Sequence, residues 1–204
     1  MDGCEPMIDI INSRCSIRYF EEKEIPENVI KEILKAGTRA PTAGGTEQWF
    51  FIVIKNSRVC KRIHELLIEA HLKYAREALK TPLPKNKINK WYERMLEGMY
   101  KAPLYIAVYI DLRKRLYNDK FKEVEFLMAV ESAAAAIENI ILAAWSMGLG
   151  SVWLGVPVLL EGAFNDILKP PENTKLIALI ALGYPKEKPR IRPRKPLEEV
   201  VKIL

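Results

Sequence analysis

Two stretches near opposite ends of the chain carry arginines in a pattern suited to binding a phosphate. Residues 14–20 read RCSIRYF, so that Arg14 and Arg18 bracket the hydroxyl of Ser16. Residues 190–196 read RIRPRKP and place Arg192 and Arg194 close to the end of the chain. Guanidinium groups bind phosphate through bidentate, charge-assisted hydrogen bonds. These residues are therefore candidates for a phosphate site, and solvated surface arginines are the alternative explanation.

Two loops rich in small residues each come just before a predicted strand. One is APTAGGTEQ, residues 40–48, and the other is GLGS, residues 148–151. Small residues allow backbone amides to approach a flat ligand closely. Taken singly, the glycines are explained equally well as turns and helix caps. A ligand with a flat ring at one end and a phosphate at the other would use both the loops and the arginines.

The elements that would position these groups follow an α+β pattern. Apolar spacing predicts a short helix near residues 7–13 and a second helix from Pro26 to Gly37. Continuous apolar runs predict buried strands, the first at 49–55 and the second at 102–111. A long apolar helix ends near Met147, and two more strands follow it. The order predicts an α+β or mixed α/β layer fold in a single domain, 1–204, without repeats or linkers.

Composition excludes several classes of protein. The chain has 204 residues, of which 49% are hydrophobic and 28% charged, a globular balance. The longest apolar stretch is interrupted by Glu138 and Asn139, and no secretory signal is evident, so we expect a cytoplasmic protein without a membrane span. Three cysteines, Cys4, Cys15 and Cys60, make no disulfide framework. Too few ligands cluster for a metal site.

Nucleotide-binding motifs of the common kinds are missing from the sequence. No GxGxxG follows a predicted strand, which argues against a Rossmann dinucleotide site, and no GxxxxGK[ST] occurs. The net charge of +6 and the arginine-rich tail leave nucleic-acid binding as an alternative. Charges elsewhere in the chain are mixed with their opposites, which disfavours that alternative, and we expect no nucleic-acid partner.

Four motifs in the right order resemble the nitroreductase family of flavoproteins. RCSIRYF resembles the family's RRSxRxF, and APTAGGTEQW resembles APSAGNxQPW before a strand. GLGSVWLG, residues 148–155, resembles the family turn GLGSxWxG. GYP and RKPLEEVV, at 183–185 and 194–201, resemble the closing segments. The resemblance covers nearly the whole chain.

The resemblance implies a three-layer α+β fold, with a central, mostly antiparallel sheet flanked by helices, a long buried helix and a C-terminal extension. It also implies an FMN enzyme that is a homodimer with FMN at the interface. Hydride would pass from NADH or NADPH to FMN, and electrons to a small, aromatic nitro or quinone acceptor, by a ping-pong mechanism. Because the flavin carries the chemistry, no catalytic side chain is expected.

The resemblance also assigns cofactor contacts residue by residue. The arginine segments would hold the phosphate and ribityl chain. The loop of residues 41–47, from the partner subunit, would lie along the isoalloxazine ring, and the 149–151 turn would lie on the other side. The implied cofactor-binding residues are Arg14, Cys15, Ser16, Arg18, Pro41, Thr42, Ala43, Gly44, Gly45, Glu47, Leu149, Gly150, Ser151, Arg192 and Arg194.

Departures from the family pattern leave the reaction open. Cys15 replaces a common arginine and is either a packed or a reactive thiol, and Gly45 replaces a common asparagine. Glu47-Gln48 replaces Gln-Pro, so either Glu47 points away from the ring or Gln48 makes the contact. Alternatives are an FMN enzyme for reductive dehalogenation or flavin fragmentation, with residues 80–100 as a lid, and a non-catalytic flavin sensor. In such a lid, Trp91, Tyr92 and Tyr100 would either stack on substrate or pack in the core.

Overall fold

The computed structural model describes residues 7–204 as six α-helices and four β-strands. Cys4 and the start of the chain lie outside the described residues. The helices are α1 (Met7–Ser13), α2 (Glu27–Gly37), α3 (Ser57–Lys73), α4 (Lys85–Leu96), α5 (Lys122–Ser146) and α6 (Glu161–Leu168). The strands are β1 (Trp49–Ile54), β2 (Leu104–Asp111), β3 (Gly150–Leu154) and β4 (Thr174–Gly183).

The strands form one antiparallel sheet in the order β1-β2-β4-β3. The two central strands are buried on both faces, which explains their continuous apolar sequences. One face packs against α3, α4 and α6 through a core that includes Ile63, Leu67 and Phe164. The other face packs against α2 and α5 through Ile33 and Ile137. This three-layer arrangement confirms the predicted α+β class and the mostly antiparallel sheet.

Helix α5 is the longest element and lies in the core between α2 and the sheet. Ala129, Ala133 and Ile137 on α5 are fully buried. Gly37 permits close packing with α2, because a Cβ there would lie 2.7 Å from Cγ1 of Ile140. Within residues 7–204, α5 and its preceding turn make the one helix long and apolar enough to cross a membrane by length and composition. A helix that packs against a sheet in a protein core has the same apolar composition, and α5 packs in this way.

Several element boundaries differ from the predicted ones for local reasons. The sequence offers Ser57 as a cap for α3, but the cap is Asn56, whose side-chain oxygen accepts hydrogen bonds from the N–H groups of Arg58 and Val59 in the first turn. After Lys73 the chain continues as one π-helical turn, Tyr74–Ala78. The sequence predicts a helix over roughly 89–100, but helix α4 begins four residues earlier, at Lys85, directly after Pro84. Strand β2 begins after Pro103, which has no N–H for the sheet.

Candidate functional site

The arginine-bearing segment 14–20 lies beside the first residues of β3. The N–H of Ile17 donates a 2.9 Å hydrogen bond to the carbonyl oxygen of Ser151, and Ser16 forms a parallel bridge with Ser151. Ile17 and Phe20 are buried and anchor the segment in the core. The structure therefore brings together the first arginine segment and the 149–151 turn, two of the predicted cofactor-binding groups.

A glycine makes the close contact between these two groups possible. A Cβ on Gly150 would lie 2.7 Å from Cβ of Ile17, too close for any side chain. The turn that leads to it leaves α5 through Gly148 at φ +74°, a left-handed conformation that favours glycine. Leu149 is buried at 1% exposure. The GLGS sequence thus fixes how the backbone of β3 meets the arginine segment.

The two arginines of this segment keep most of their charge available. Arg14 Nε lies 3.8 Å from an Oε1 of Glu138, a long and weak ion pair. Arg18 donates from Nη1 to the carbonyl oxygen of Ser16 at 3.1 Å, and within residues 7–204 its guanidinium has no ion pair. Oε1 of Glu187 accepts the backbone N–H groups of Arg18 and Tyr19, at 2.6 and 3.3 Å. Because these backbone N–H groups already donate to Glu187, an anion bound beside the segment would contact the arginine side chains.

Cys15 lies inside the core between the two arginines in sequence. Its exposure is 8%, and it belongs to the same apolar cluster as Ile17 and Phe20. The position that carries an arginine in the family pattern thus holds a packed thiol in this chain. Position 15 therefore contributes apolar packing in this chain, and not a third cationic group.

Arg192 and Arg194 lie in an exposed tail. The tail has no regular structure apart from a 3₁₀ turn at Leu197–Glu199. Across the described part of the chain, no hydrogen bond or ion pair joins these two arginines to Arg14 or Arg18. The second half of the predicted phosphate site is therefore not assembled within one copy of the chain.

The loop of residues 41–47 has a defined shape held by its own threonines. The Thr42 hydroxyl accepts the N–H of Glu47 at 3.0 Å, and Thr46 donates to the carbonyl of Ala43 at 2.7 Å. Gly44 and Gly45, which follow Ala43, adopt left-handed conformations with φ +58° and φ +68°. Pro41, which precedes these residues, is exposed. The N–H of Ala43 donates to the hydroxyl of Ser132, which fastens the loop to α5.

Glu47 and Gln48 differ sharply in environment. Glu47 is exposed and has φ +50°, whereas Gln48 is 3% exposed. Nε2 of Gln48 donates to Oε1 of Glu125 at 3.3 Å and to the carbonyl of Lys114 at 3.4 Å. Its Oε1 accepts from the Thr46 hydroxyl. The Gln48 amide is thus engaged within the protein, and Glu47 is the residue of this pair that faces solvent.

Sequence analysis missed Glu125, a buried carboxylate at the start of α5. It is 1% exposed and accepts hydrogen bonds from Arg115 Nε at 2.8 Å and from the N–H of Leu116 at 2.5 Å. Burial opposes its ionisation, but the hydrogen bonds from the Arg115 guanidinium, two backbone N–H groups and Gln48 outweigh burial and lower its pKa. The sequence signal for this buried carboxylate is an acidic residue between Val124 and Phe126, at the start of an apolar helix.

A cleft of about 480 Å³ opens beside the 41–47 loop. Its lining residues are polar and are contributed by the end of the loop, by the last residue of β2 and by the chain after it: Thr46, Glu47, Gln48, Asp111, Arg113 and Lys114. Arg113 pairs with both carboxylate oxygens of Asp111, which lowers the pKa of that carboxyl. Since Arg113 is neutralised in this way, Lys114 and Glu47 are the charged groups that remain beside the loop.

The predicted lid supplies core contacts as well as surface. Tyr100 stacks on His71 with ring centroids 4.8 Å apart, and Trp91 meets the same imidazole edge-on at 4.9 Å. His71 is 3% exposed, and burial lowers its pKa. Tyr92 is 39% exposed. Two of the three aromatic residues proposed for substrate stacking are thus used in packing around a histidine.

A model of the nitroreductase family matches residues 11–184. The chain is 30% identical to an Archaeoglobus fulgidus protein named "Putative NADH dehydrogenase/NAD(P)H nitroreductase", over 90% of this chain and 87% of that one. It is 28% identical to iodotyrosine deiodinase 1 of Sus scrofa, over 95% of this chain and 66% of that one.

Solved structures share the fold. A BluB-like flavoprotein from Clostridium difficile superposes with a TM-score of 0.78 and 24% identity, covering 98% of this chain and 99% of that one. The NADPH:FMN oxidoreductase of Vibrio harveyi, complexed with NAD⁺, superposes with a TM-score of 0.72 and 20% identity, covering 97% and 76% of the two chains. The three-layer architecture and the antiparallel sheet are therefore those of an established fold.

Proposed function

This chain belongs to the nitroreductase family, and from that membership we propose that it is an FMN-dependent oxidoreductase that uses NADH or NADPH to reduce a small-molecule acceptor. The relatives named as NAD(P)H nitroreductases support the reaction class. The cofactor is supported by two proteins of the same fold, the NADPH:FMN oxidoreductase of Vibrio harveyi and a Bacteroides fragilis nitroreductase with bound FMN.

The observation that carries the proposal is the contact between Ile17 and Ser151. It sets Arg14 and Arg18 next to a turn whose Gly150 leaves no space for a Cβ. The Arg18 guanidinium has no ion pair among the described residues, so its charge is available to a phosphate. These donors fit an FMN phosphate.

Bound FMN would supply the hydride acceptance and electron transfer that no side-chain pair here supplies. Arg14 and Arg18 would bind the phosphate by charge-assisted hydrogen bonds. The turn at 149–151 and the loop at 41–47 would position the ring and exclude water from its faces. Backbone N–H groups directed at the ring would favour negative charge on it, whereas Glu47 would oppose that charge if it faced the ring.

We propose that the site is completed in a homodimer. In one copy, the 41–47 loop is fastened to the first half of α5, and no hydrogen bond or ion pair within residues 7–204 joins it to the arginine segment. Exposed apolar side chains lie on α5 and on the tail: Val124, Leu127, Leu197, Val200 and Ile203. Exposed apolar surface of this kind marks protein interfaces. A second copy covering it would supply the missing loop and bring its tail arginines to the phosphate.

Reductive dehalogenation is a second candidate reaction, favoured by the similarity to iodotyrosine deiodinase 1. That similarity extends over 95% of this chain but only 66% of the relative. The two reactions differ in the acceptor and share the cofactor. An acceptor screen with a nitroarene, a quinone and an iodophenol separates them by comparing kcat/KM values.

The experiment that tests the proposal is an absorption spectrum of the purified protein after incubation with FMN. We expect a bound flavin spectrum that bleaches without oxygen when NADH or NADPH is added. A flavin spectrum that neither donor bleaches would contradict the enzyme and support a flavin sensor. No bound flavin would contradict the phosphate site at Arg14 and Arg18.

A further inference from the structure

Glu125 connects two stretches that are far apart in sequence. Its Oε1 accepts from Gln48 Nε2 at 3.3 Å, at the end of the 41–47 loop. The same oxygen accepts the N–H groups of Leu116 at 2.5 Å and Tyr117 at 3.3 Å, in the chain that follows β2. Its Oε2 accepts from Arg115 Nε at 2.8 Å. A single buried carboxylate therefore holds the chain after β2 to the base of the loop.

The hydrogen bonds to Glu125 compensate the cost of burying it. An ionised carboxylate without partners is strongly disfavoured in a protein interior. Here both oxygens are occupied, and one partner is the cation Arg115, which also pairs with Asp119 at 2.7 Å. Removing the charge would leave Arg115 and two backbone N–H groups with weaker acceptors. The segment 113–117 is thus expected to loosen before the rest of the fold does.

Leu116 meets the loop directly at a glycine. A Cβ on Gly44 would lie 2.6 Å from Cδ2 of Leu116, so the leucine occupies the space that a larger residue at 44 would need. Leu116 is nevertheless 53% exposed. Part of its side chain packs on the loop, and the rest is presented to solvent beside it.

Segment 113–117 also divides two clefts. Arg113 and Lys114 line the 480 Å³ cleft beside the loop. Arg115 and Glu125 line a second cavity of about 520 Å³, toward Phe126. The hydrogen bonds of Glu125 therefore hold in place a segment that contributes side chains to both clefts.

We propose that Glu125 is a positioning residue that holds segment 113–117 against the 41–47 loop, and that Leu116 is an apolar wall of the acceptor site. This inference rests on the proposed function, because the acceptor must reach the ring along which the loop lies. An apolar wall favours acceptors with a hydrophobic face, such as substituted quinones and arenes. Small hydrophilic acceptors would not contact it.

The first test measures hydrogen–deuterium exchange and needs neither cofactor nor activity. We compare Glu125→Gln with Glu123→Gln, a matched change at an exposed position of the same helix. The amides of Leu116 and Tyr117 should exchange at least about tenfold faster in Glu125→Gln and as in wild type in Glu123→Gln. Unchanged protection in Glu125→Gln would overturn the positioning role.

The second test uses the FMN-loaded protein and Leu116→Ala, a change at a side chain that is more than half exposed. With menadione as acceptor, KM should rise about tenfold in both Leu116→Ala and Glu125→Gln. With ferricyanide, a small hydrophilic acceptor, the kinetics of Leu116→Ala should match wild type, as should its Kd for FMN and its rate of reduction by NADH. Equal effects of Leu116→Ala on both acceptors, or a weakened FMN Kd in that variant, would overturn the assignment. Failure of the proposed function would instead appear as absence of flavin in the wild type.

Discussion

The backbone N–H of Tyr100 donates a 2.7 Å hydrogen bond to the carbonyl oxygen of Arg18. Tyr100 has φ +70°, an uncommon conformation for a bulky residue, and its own carbonyl accepts from the hydroxyl of Tyr105 at 2.7 Å. The arginine segment is thus held by Ser151 on one side and by Tyr100 on the other. Its backbone is positioned before any ligand binds.

The first prediction concerns the guanidinium groups of this segment. Arg14→Ala and Arg18→Ala should each weaken FMN binding, because a hydrogen bond to a charged group contributes about 1.5–3 kcal/mol. That loss corresponds to roughly a tenfold to hundredfold higher Kd in a fluorescence titration. Arg62→Ala, at an exposed ion pair with Glu65, is the control and should bind as wild type. Unchanged Kd values in both site variants would place the phosphate elsewhere.

The second prediction compares the neighbouring glycines of the loop. Gly45→Ala introduces a Cβ at φ +68° with no atom within 4 Å, so it should cost about 1 kcal/mol from backbone strain alone. Gly44→Ala adds a collision with Leu116 and should cost more in urea unfolding. Adding Leu116→Ala to Gly44→Ala should recover the difference. Equal costs for the two single variants would show that the leucine moves away freely.

The third prediction concerns acid sensitivity. Burial lowers the pKa of both histidines, His64 and His71, below their usual 6.5. Below pH 6.5 the unfolded chain therefore binds more protons than the folded one, and the free energy of unfolding should fall as pH decreases. Glu125, whose pKa is lowered from 4.5, adds a further loss below pH 4.5.

Variants separate these contributions in urea titrations at several pH values. His64→Gln with His71→Phe removes every histidine of the chain, and its stability should be nearly flat between pH 6.5 and 4.5. Glu125→Gln should keep the histidine slope and make the fall below pH 4.5 shallower. The fall that remains comes from other carboxyls whose pKa values are also lowered: Glu22, Glu27 and Asp111. A double histidine variant with the wild-type slope would contradict the assignment.

The fourth prediction concerns the exposed tail. Leu197→Asp and Val200→Asp place charges on side chains that are 71% and 60% exposed, so the single chain should tolerate them. In a dimer that buries them, each charge should shift sedimentation toward the monomer and weaken FMN binding in parallel. Glu199→Gln, in the same turn, is the control. A wild-type monomer that binds FMN tightly would contradict the shared site.

Local sequence signals predicted most of the elements but not their contacts. Alternation, continuous apolar runs, Pro26 and the terminal Gly37 are local features, so helices and strands were predicted within a few residues. The family resemblance implied that segment 14–20 and the 149–151 turn share a ligand, but it did not predict the direct hydrogen bond between them. Glu125 could not be linked to Gln48, since 77 positions separate them and only the packing of α5 brings them together. The left-handed Tyr100 had no signal at all, because its conformation depends on contacts with Arg18 and Tyr105.

The single bridge between Ser16 and Ser151 has a consequence for solubility. Strand β3 is only five residues long and lies at the margin of the sheet, where unpaired backbone groups would otherwise be available to another molecule. Segment 14–20 covers the beginning of that margin, at Ser151, from the side away from β4. A change that detaches the segment would therefore expose unpaired backbone N–H and C=O groups of β3 next to the half-exposed Trp153. We expect such a variant to aggregate before it unfolds. The residues proposed to hold the phosphate thus also protect the sheet against pairing with its neighbours.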